Sequence, residues 1–256
     1  MSLDTDSAKK PALSLVIPAY NEERRLPTSL GDIKAFFTKI PLPLEVLVMI
    51  EKSTDRTLEL AKSTVSGDSR FVINDNEVQR GKGYAVKLGM VRAQGDYVFF
   101  MDADLSTPLS EIFKFVAHFE SNPQTDVIIG NRADAKSQIV KQQSWFRRNL
   151  GRGFNRFVQV FGVQGIKDTQ CGFKAFRNRA AREIFSRQTL NGFAFDVEVL
   201  MLAQTLGYKI DVLPVRWINS DDSKVRVLID PLKMLWDLIR IRRIVQKTVR
   251  EKPLSP

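Results

Sequence analysis

Short apolar runs alternate with segments of helical spacing through the first half of the chain. The runs are rich in Val, Ile and Phe, as is typical of strands buried on both faces. They are LSLVIPAY, LEVLVMI, RFVIN, DYVFFM and DVIIG. Helical spacing of apolar residues falls between them, over 25–38, 54–66, 82–93 and 110–121. The alternation predicts an α/β fold, a doubly wound and mainly parallel sheet flanked by helices.

The second half of the chain is less regular. Its pattern predicts a helix over 145–161, a strand in CGFKAFR, a helix in VEVLMLAQTL, a strand in KIDVLPV and a last helix from about Leu228. A length of 256 residues with 43% hydrophobic residues suits one domain with a large core. We therefore expect a mobile tail over 1–12, a single domain over 13–227, and a helix with a short tail over 228–256.

Composition narrows the classes of function. A net charge of +10 predicts an anionic partner, which leaves nucleotide phosphates, a lipid phosphate, an acidic membrane surface and nucleic acid open. The single histidine, His118, has the spacing of a core-packed helix, which disfavours histidine-based metal or Ser-His-Asp chemistry. The single cysteine, Cys171, fits a reducing compartment. With no signal peptide and no apolar window of membrane-spanning length, we expect a cytoplasmic protein.

Polar clusters follow three of the predicted strands directly. PAYNEE follows the first strand, EKSTD the second and DADLSTP the fourth. Because ligands of a doubly wound sheet collect beyond the carboxyl ends of its strands, these clusters predict one binding site at one edge of the sheet.

Two carboxylates, Asp102 and Asp104, end the fourth predicted strand. Adjacent carboxylates repel unless a cation lies beside them, and Mg²⁺ and Mn²⁺ favour such oxygens while keeping positions open for phosphate. The pair therefore predicts a metal-diphosphate site. The alternative is an acidic turn in which Ser106 or Thr107 caps the next helix.

LSLVIPAYNEE, MDADLSTP and DTQCGFKAF together resemble the family 2 glycosyltransferases of GT-A fold, which are Rossmann-like. The resemblance covers roughly 13–245. DTQCGFK and GFAFDVEVL are similar to the branch that uses lipid phosphates, the dolichyl-phosphate glucosyltransferases and polyprenyl-phosphate mannose synthases. It implies an inverting, metal-dependent transfer of a hexose from a nucleotide sugar.

The resemblance implies roles for residues of the first and third polar clusters. Pro18, Tyr20 and Glu22 match the nucleotide-binding loop, although Glu22 would also suit a helix N-terminus. Asp102 and Asp104 match the ligands of Mg²⁺ or Mn²⁺, with the backbone of Ala103 close to the donor.

The second polar cluster departs from the family pattern. The family usually has VDDGST where this chain has MIEKST. Glu51 keeps the acid that contacts the base, one methylene further out, whereas Ile50 removes the first acid and Lys52 replaces a glycine. Recognition of the base is therefore the part of the resemblance that this sequence supports least.

Arginines after the fifth predicted strand match positions that bind the acceptor phosphate in the lipid-phosphate branch. They are Arg132, Arg147 and Arg148, and their guanidinium groups can bind phosphate oxygens in pairs. For Arg147 and Arg148 a solvated helix face is an equal alternative. A phosphate acceptor is already anionic at neutral pH, because its second pKa is about 6, so the reaction needs cations rather than a general base.

Three further residues complete the predicted site. Lys82 lies at a predicted helix start beside two glycines, where backbone amides can approach phosphate, or where the glycines form only a tight turn. Asp196, in GFAFDVEVL together with Glu198, could position acceptor or sugar, or be a helix N-terminal acid. Lys224 matches a phosphate contact in a loop that closes over the donor.

The last predicted helix is basic and amphipathic. Such a helix can lie on an anionic lipid surface, or it can bury its apolar side against the domain and expose its basic side. Its basic side holds Lys233, Arg240, Arg243, Lys247 and Arg250, and Arg242 falls among the apolar residues. The first alternative predicts peripheral contact with the inner face of a membrane.

The sequence therefore predicts an enzyme that moves a hexose, first glucose from UDP-glucose, to a polyprenyl or dolichyl phosphate. GDP-mannose is the second candidate donor. Two other classes remain open, a non-catalytic nucleotide-sugar-binding module and a basic nucleic-acid-binding protein. The acids that converge at the strand ends disfavour a nucleic-acid partner.

Overall fold

The computed structural model describes residues 10–40, 42–132, 137, 163, 165–218 and 230–251. Its strands are β1 (Leu13–Ala19), β2 (Leu44–Glu51), β3 (Phe71–Asn76), β4 (Tyr97–Met101), β5 (Val127–Asn131), β6 (Phe173–Arg177) and β7 (Ile210–Pro214). They form one sheet in the order β3-β2-β1-β4-β6-β5-β7. Neighbouring strands are parallel except at β6, which runs antiparallel to both β4 and β5. The predicted α/β class and mainly parallel sheet are confirmed.

Helices connect the strands and cover both faces of the sheet. They are α1 (Leu26–Thr38), α2 (Thr57–Thr64), α3 (Lys82–Arg92), α4 (Glu111–Ser121), α5 (Asn178–Arg187), α6 (Phe195–Thr205) and α7 (Asp230–Glu251). The first four lie within a few residues of their predicted spans. Helix α5 was not predicted, although Ala180, Ala181, Ile184 and Phe185 give it a buried stripe of helical spacing. The helix predicted over 145–161 lies outside the described residues.

Strand β4 shows why the sheet is buried on both faces. Phe99 packs on one side with Phe115 and Phe173, whose ring centroids are 4.7 Å apart. Phe100 points to the other side and meets Phe195 at 5.7 Å between centroids. Successive side chains of a strand point to opposite faces, so an unbroken apolar run serves two cores at once.

The topology brings the polar clusters to one edge. β1 pairs in parallel with β2 on one side and with β4 on the other, so the carboxyl ends of all three strands lie at one edge. Because β6 is antiparallel to β4, its first residues lie at that same edge, with Phe173 opposite Met101. The edge thus collects the loops after β1, β2 and β4 together with the segment that precedes β6.

The tail and the domain boundaries stay predictions, since 1–9 and 219–229 lie outside the described residues. The chain is already bonded to the sheet at Ala12, whose amide donates to the Pro43 carbonyl at 2.8 Å. His118 has the structural role expected of it: its Nε2 lies 2.8 Å from an Asp211 carboxylate oxygen, on the flank of the sheet.

Helix α7 packs its apolar side against the domain. Ile241 and Val245 are fully buried in the core that contains α6, and Val249 is partly buried there. The basic side chains from Arg240 to Arg250 are exposed, including Arg242, so the predicted break in the pattern does not occur. Among the described helices, none combines the length and apolar character needed to span a membrane.

Replacing Ile241 with Ala should destabilise the protein by about 2–5 kcal/mol, because the buried side chain leaves a cavity between α6 and α7. Arg243→Ala, on the exposed side of the same helix, should change stability by no more than about 0.5 kcal/mol. Chemical denaturation of both variants measures the difference. Equal stability of the two would contradict the packing of α7.

Candidate active site

The carboxylates at the end of β4 lie in a tight turn. The Asp102 amide donates to the Gly172 carbonyl at 3.2 Å, and the Leu105 amide donates back to the Asp102 carbonyl at 3.2 Å. Leu105 has a φ of 48°, a left-handed conformation that is costly for a branched side chain. Strain of this kind persists where the surroundings fix it and clusters at functional sites. The turn holds Asp102 and Asp104 at the sheet edge.

The alternative interpretation of this turn as a helix cap is wrong. Helix α4 begins at Glu111 after Ser110, which makes no side-chain cap hydrogen bond. Ser106 instead serves the site: its amide and hydroxyl donate to Asp104 Oδ1 at 3.1 and 2.8 Å. These two bonds fix one oxygen of the Asp104 carboxylate.

Cationic side chains compensate both carboxylates. Lys82 Nζ lies 2.6 Å from Asp102 Oδ1, and Arg25 donates to Asp104 Oδ2 at 3.4 Å. Burial acts to lower the pKa of Lys82, but the carboxylates of Asp102 and Asp196 raise it above its ordinary value. Lys82 therefore stays charged and balances more than one acid.

The donor set at this turn fits a hard divalent cation. The side chains of Asp102 and Asp104 are 27% and 18% exposed, so their oxygens face the open edge. Within the part of the chain that the structure describes, no group of three or more His, Cys, Asp or Glu side chains could hold a metal. Two carboxylates leave most coordination positions to phosphate and water, which is how Mg²⁺ is bound together with diphosphates.

Gly172 forms the wall behind Asp102. A Cβ at this position would lie 1.8 Å from Asp102 Oδ2, so only glycine leaves room for the carboxylate. The antiparallel pairing of β6 with β4 creates this contact. The glycine is visible in the sequence motif CGF, but the motif does not indicate which residue it contacts. We count Gly172 as a residue of the site that sequence reasoning missed.

The loop after β1 is held by the loop after β2. Pro18 is buried within β1, and Tyr20 is half-buried beyond it. Asn21 has a φ of 52° and accepts a hydrogen bond from the Thr54 amide at 2.8 Å. The carboxylate of Glu22 accepts two bonds from Arg25, at 2.7 and 2.5 Å. Through Arg25, Glu22 is linked to Asp104, and its predicted contact with the nucleotide stays a prediction.

Glu51 anchors the start of α3. It is buried, and its carboxylate accepts the amide of Gly81 at 2.7 Å and that of Arg80 at 3.1 Å. Burial raises its pKa, while the two backbone bonds oppose that shift. The acid that the resemblance assigns to the base thus also positions the segment carrying Lys82. Its contact with the base stays a prediction.

Arg132 lies at the end of β5 in a defined setting. Its Nε and one Nη donate to the Asp168 carboxylate at 2.8 and 2.7 Å, and its Cζ lies 4.8 Å above the centre of the Trp217 ring. Burial acts to lower the pKa of Arg132, but Asp168 raises it, and Asp102 contributes in the same direction. For Asp168, burial acts to raise the pKa, but the charge of Arg132 and its hydrogen bonds lower it below its ordinary value.

Asp196, at the start of α6, is buried beside Lys174, which donates to it. Burial raises the pKa of Asp196, whereas Lys174 and Lys82 act against the shift. Glu198, fully buried, accepts the amides of Thr189 and Leu190 at 2.8 and 2.7 Å. The Asn191 carbonyl, next after Leu190, accepts the Gly83 amide at 2.8 Å, so Glu198 helps to hold the start of α3 that carries Lys82.

The structure brings Lys82, Asp102, Asp104, Asp196 and Arg132 to one edge, with Ala103 between the two acids. Arg147, Arg148 and Lys224 lie outside the described residues, and their predicted roles stay predictions. Sequence reasoning missed the partners of these groups, namely Arg25, Asp168, Gly172, Lys174 and Trp217. DTQCGFK contained three of them, but their contacts arise only in the folded chain.

The fold is shared with solved glycosyltransferase structures. Mannosyl-3-phosphoglycerate synthase from Rubrobacter xylanophilus superposes with a TM-score of 0.66, at 17% identity, over 96% of this chain and 78% of that one. Glucosyl-3-phosphoglycerate synthase from Mycobacterium tuberculosis in complex with UDP gives 0.64, at 17% identity, over 96% and 82%. These similarities define the GT-A fold.

The model of glycosyl transferase family 2 matches residues 14–185. This chain belongs to that family, and it is a glycosyltransferase. It is 35% identical to dolichyl-phosphate beta-glucosyltransferase of Dictyostelium discoideum over 240 residues, covering 90% of this chain and 73% of the relative. The Saccharomyces cerevisiae enzyme of the same name is 36% identical over 246 residues, covering 90% and 74%.

Gly172→Ala should lower kcat by about 100-fold, because the added methyl group displaces the Asp102 carboxylate by an ångström or more. Gly31→Ala is the matched control, since a Cβ there meets nothing within 4 Å. Transfer assays and melting temperatures of both variants test this. Full activity of Gly172→Ala would show that Asp102 does not depend on this wall.

Proposed function

We propose that the protein transfers glucose from UDP-glucose to a polyprenyl or dolichyl phosphate with inversion at the anomeric carbon. The observation that carries the proposal is the Asp102–Asp104 turn, whose carboxylates face the open sheet edge beside Lys82 and Arg132. The names of the relatives support the sugar and the acceptor. A related fold has been solved with Mn²⁺ and UDP-glucose, which supports the donor.

The donor diphosphate binds at the Asp102–Asp104 turn in this proposal. Asp102 and Asp104 would hold Mg²⁺ or Mn²⁺, which neutralises charge on a departing diphosphate. Lys82 approaches the same phosphates from the start of α3. Pro18, Tyr20, Glu22, Glu51, Ala103 and Lys224 form the rest of the predicted donor site.

The acceptor phosphate is the nucleophile. One of its oxygens attacks the anomeric carbon and forms a new carbon–oxygen bond. The bond from that carbon to the UDP oxygen breaks, and its electron pair stays on UDP. Direct attack accounts for inversion, since no side chain at the turn is placed as a covalent nucleophile. Arg132, with Arg147 and Arg148, binds the incoming phosphate and offsets its repulsion from the donor. Asp196 orients sugar or acceptor.

Asp104→Asn should lower transfer at least about 100-fold, because it removes a charged metal ligand. Asp96→Asn is the matched control, an exposed acid just before β4 at its opposite end. Release of UDP and formation of the glucosyl lipid are measured with UDP-glucose and a short polyprenyl phosphate, with GDP-mannose as a parallel donor. EDTA should abolish transfer, and Mn²⁺ or Mg²⁺ should restore it.

Three outcomes count against the proposal, one from the transfer assay and two from binding measurements with UDP and with DNA. Transfer only from GDP-mannose would replace the donor with the second candidate. Binding of UDP without any transfer would indicate a nucleotide-sugar-binding module. Retention on DNA with no response to either nucleotide would favour the nucleic-acid-binding alternative.

The exposed side of α7 supplies a second part of the proposal, peripheral contact with an anionic membrane on the cytoplasmic side. Arg240, Arg242, Arg243, Lys247 and Arg250 are exposed, and 240–250 contains no acidic residue. The apolar side of this segment is buried against the domain. Contact would therefore be electrostatic, through lipid headgroups, rather than by insertion of the apolar side.

Replacing Arg240, Arg243 and Lys247 with Gln should weaken binding to phosphatidylserine vesicles about 100-fold, at about 1 kcal/mol for each charge. The control removes three exposed charges elsewhere, at Lys39, Lys62 and Arg92. Cosedimentation at low and high salt measures binding. Equal loss in both triple variants would assign binding to net charge and not to α7.

A further inference from the structure

We propose that Asp168 and Trp217 are positioning residues, which hold the guanidinium of Arg132 so that its outer edge binds the phosphate of the acceptor. This inference rests on the proposed function and deepens it. The resemblance pointed to Arg132 alone. The partners that orient it come from the segment before β6 and the segment after β7, both far from Arg132 in sequence.

Asp168 fixes both the side chain and the backbone of Arg132. Its carboxylate accepts the Arg132 amide at 2.9 Å, Nε at 2.8 Å and one Nη at 2.7 Å. The Asp168 side chain is only 4% exposed, whereas that of Arg132 is 25% exposed. A bidentate pair of this kind sets the plane of the guanidinium and the direction of its remaining N–H groups.

The same guanidinium lies over the ring of Trp217. The distance from Arg132 Cζ to the ring centre is 4.8 Å, which is within the range of a cation–π contact, and Trp is the strongest partner for one. Trp217 Nε1 is buried and has no hydrogen-bond partner among the described residues. Among the described contacts, the indole therefore interacts with Arg132 through its ring and not through its N–H group.

The two contacts leave one edge of Arg132 for a ligand. A guanidinium has five N–H groups, and Asp168 takes those on Nε and on the near side of one Nη. The end of the guanidinium formed by both Nη atoms keeps N–H groups that Asp168 does not use, and it has the fork geometry that fits two phosphate oxygens.

Asp168, Trp217 and Arg132, which we call the clamp, lie beside the predicted diphosphate site. The Ile218 amide donates to the Ser106 carbonyl at 2.7 Å, which ties the Trp217 segment to the turn of Asp102 and Asp104. Attack on the anomeric carbon requires the acceptor oxygen within about 3–3.5 Å of it, so an arginine that aims the phosphate must itself be fixed. A free arginine side chain at this position would supply charge but not direction.

The test measures binding and transfer separately. Asp168→Asn keeps the shape of the side chain and removes its charge. The dissociation constant for a short polyprenyl monophosphate should rise about 10- to 100-fold, because a misdirected Arg132 loses about one hydrogen bond to a charged group. The dissociation constant for UDP should stay unchanged. Calorimetry without donor gives both constants. Asp211→Asn is the matched control, a half-buried carboxylate bonded to His118 and Thr125.

A double-mutant cycle separates positioning from support of the fold. If Asp168 acts through Arg132, then Asp168→Asn should have no further effect on phosphate binding in an Arg132→Gln background. Trp217→Phe should weaken phosphate binding less than Asp168→Asn does and leave the melting temperature within a few degrees. It also serves as the test if Asp168→Asn does not fold.

Four outcomes of these measurements overturn the inference. Parallel loss of UDP and phosphate binding, or additive effects in the cycle, would assign Asp168 to structure alone. Unchanged phosphate binding in Asp168→Asn and Trp217→Phe would do the same, as would a wild-type protein that binds no phosphate monoester. One further outcome separates the two proposals. If the variants change phosphate binding as expected but the protein transfers no glucose, this inference stands and only the proposed donor or reaction is refuted.

Discussion

The ion pair between Lys82 and Asp102 is the interaction around which the site is arranged. A buried strand that ends in two acids concentrates negative charge where water is partly excluded, and this is costly without a cation. Lys82 meets Asp102 at 2.6 Å and also acts on Asp196, while Arg25 approaches Asp104. The acids are therefore held in place by protein cations at an edge that can also receive a metal and a diphosphate.

Lys82 depends in turn on buried carboxylates that hold the start of α3. Glu51 binds the amides of Arg80 and Gly81, and Glu198 binds those of Thr189 and Leu190. The Gly83 amide then donates to the Asn191 carbonyl at 2.8 Å. Buried carboxylates that accept backbone amides from two sides fix the start of α3, which explains why acids far from Lys82 in sequence occur near it in the fold.

In the proposed reaction, the two anionic groups are bound by different cations of the site. Lys82 and Arg25 lie beside the acids after β4, whereas Arg132 lies after β5 with its own carboxylate partner, Asp168. In the proposed reaction, a phosphate nucleophile needs no general base but must approach another phosphate. Fixed, individually paired cations meet that requirement better than a diffuse positive surface would.

The alternation of strands and helices, the edge where PAYNEE and DADLSTP meet, and the acids at that edge were all predictable from the sequence. These follow from local periodicity and from the rule that parallel strands end together. The partners follow from the tertiary fold alone: Gly172 lies behind Asp102, Lys174 beside Asp196, and Asp168 and Trp217 around Arg132. Each of these contacts joins residues of different strands, helices or loops. The antiparallel insertion of β6 between β4 and β5 creates the contact of Gly172 with Asp102, and strand order of that kind has no local signal in the sequence.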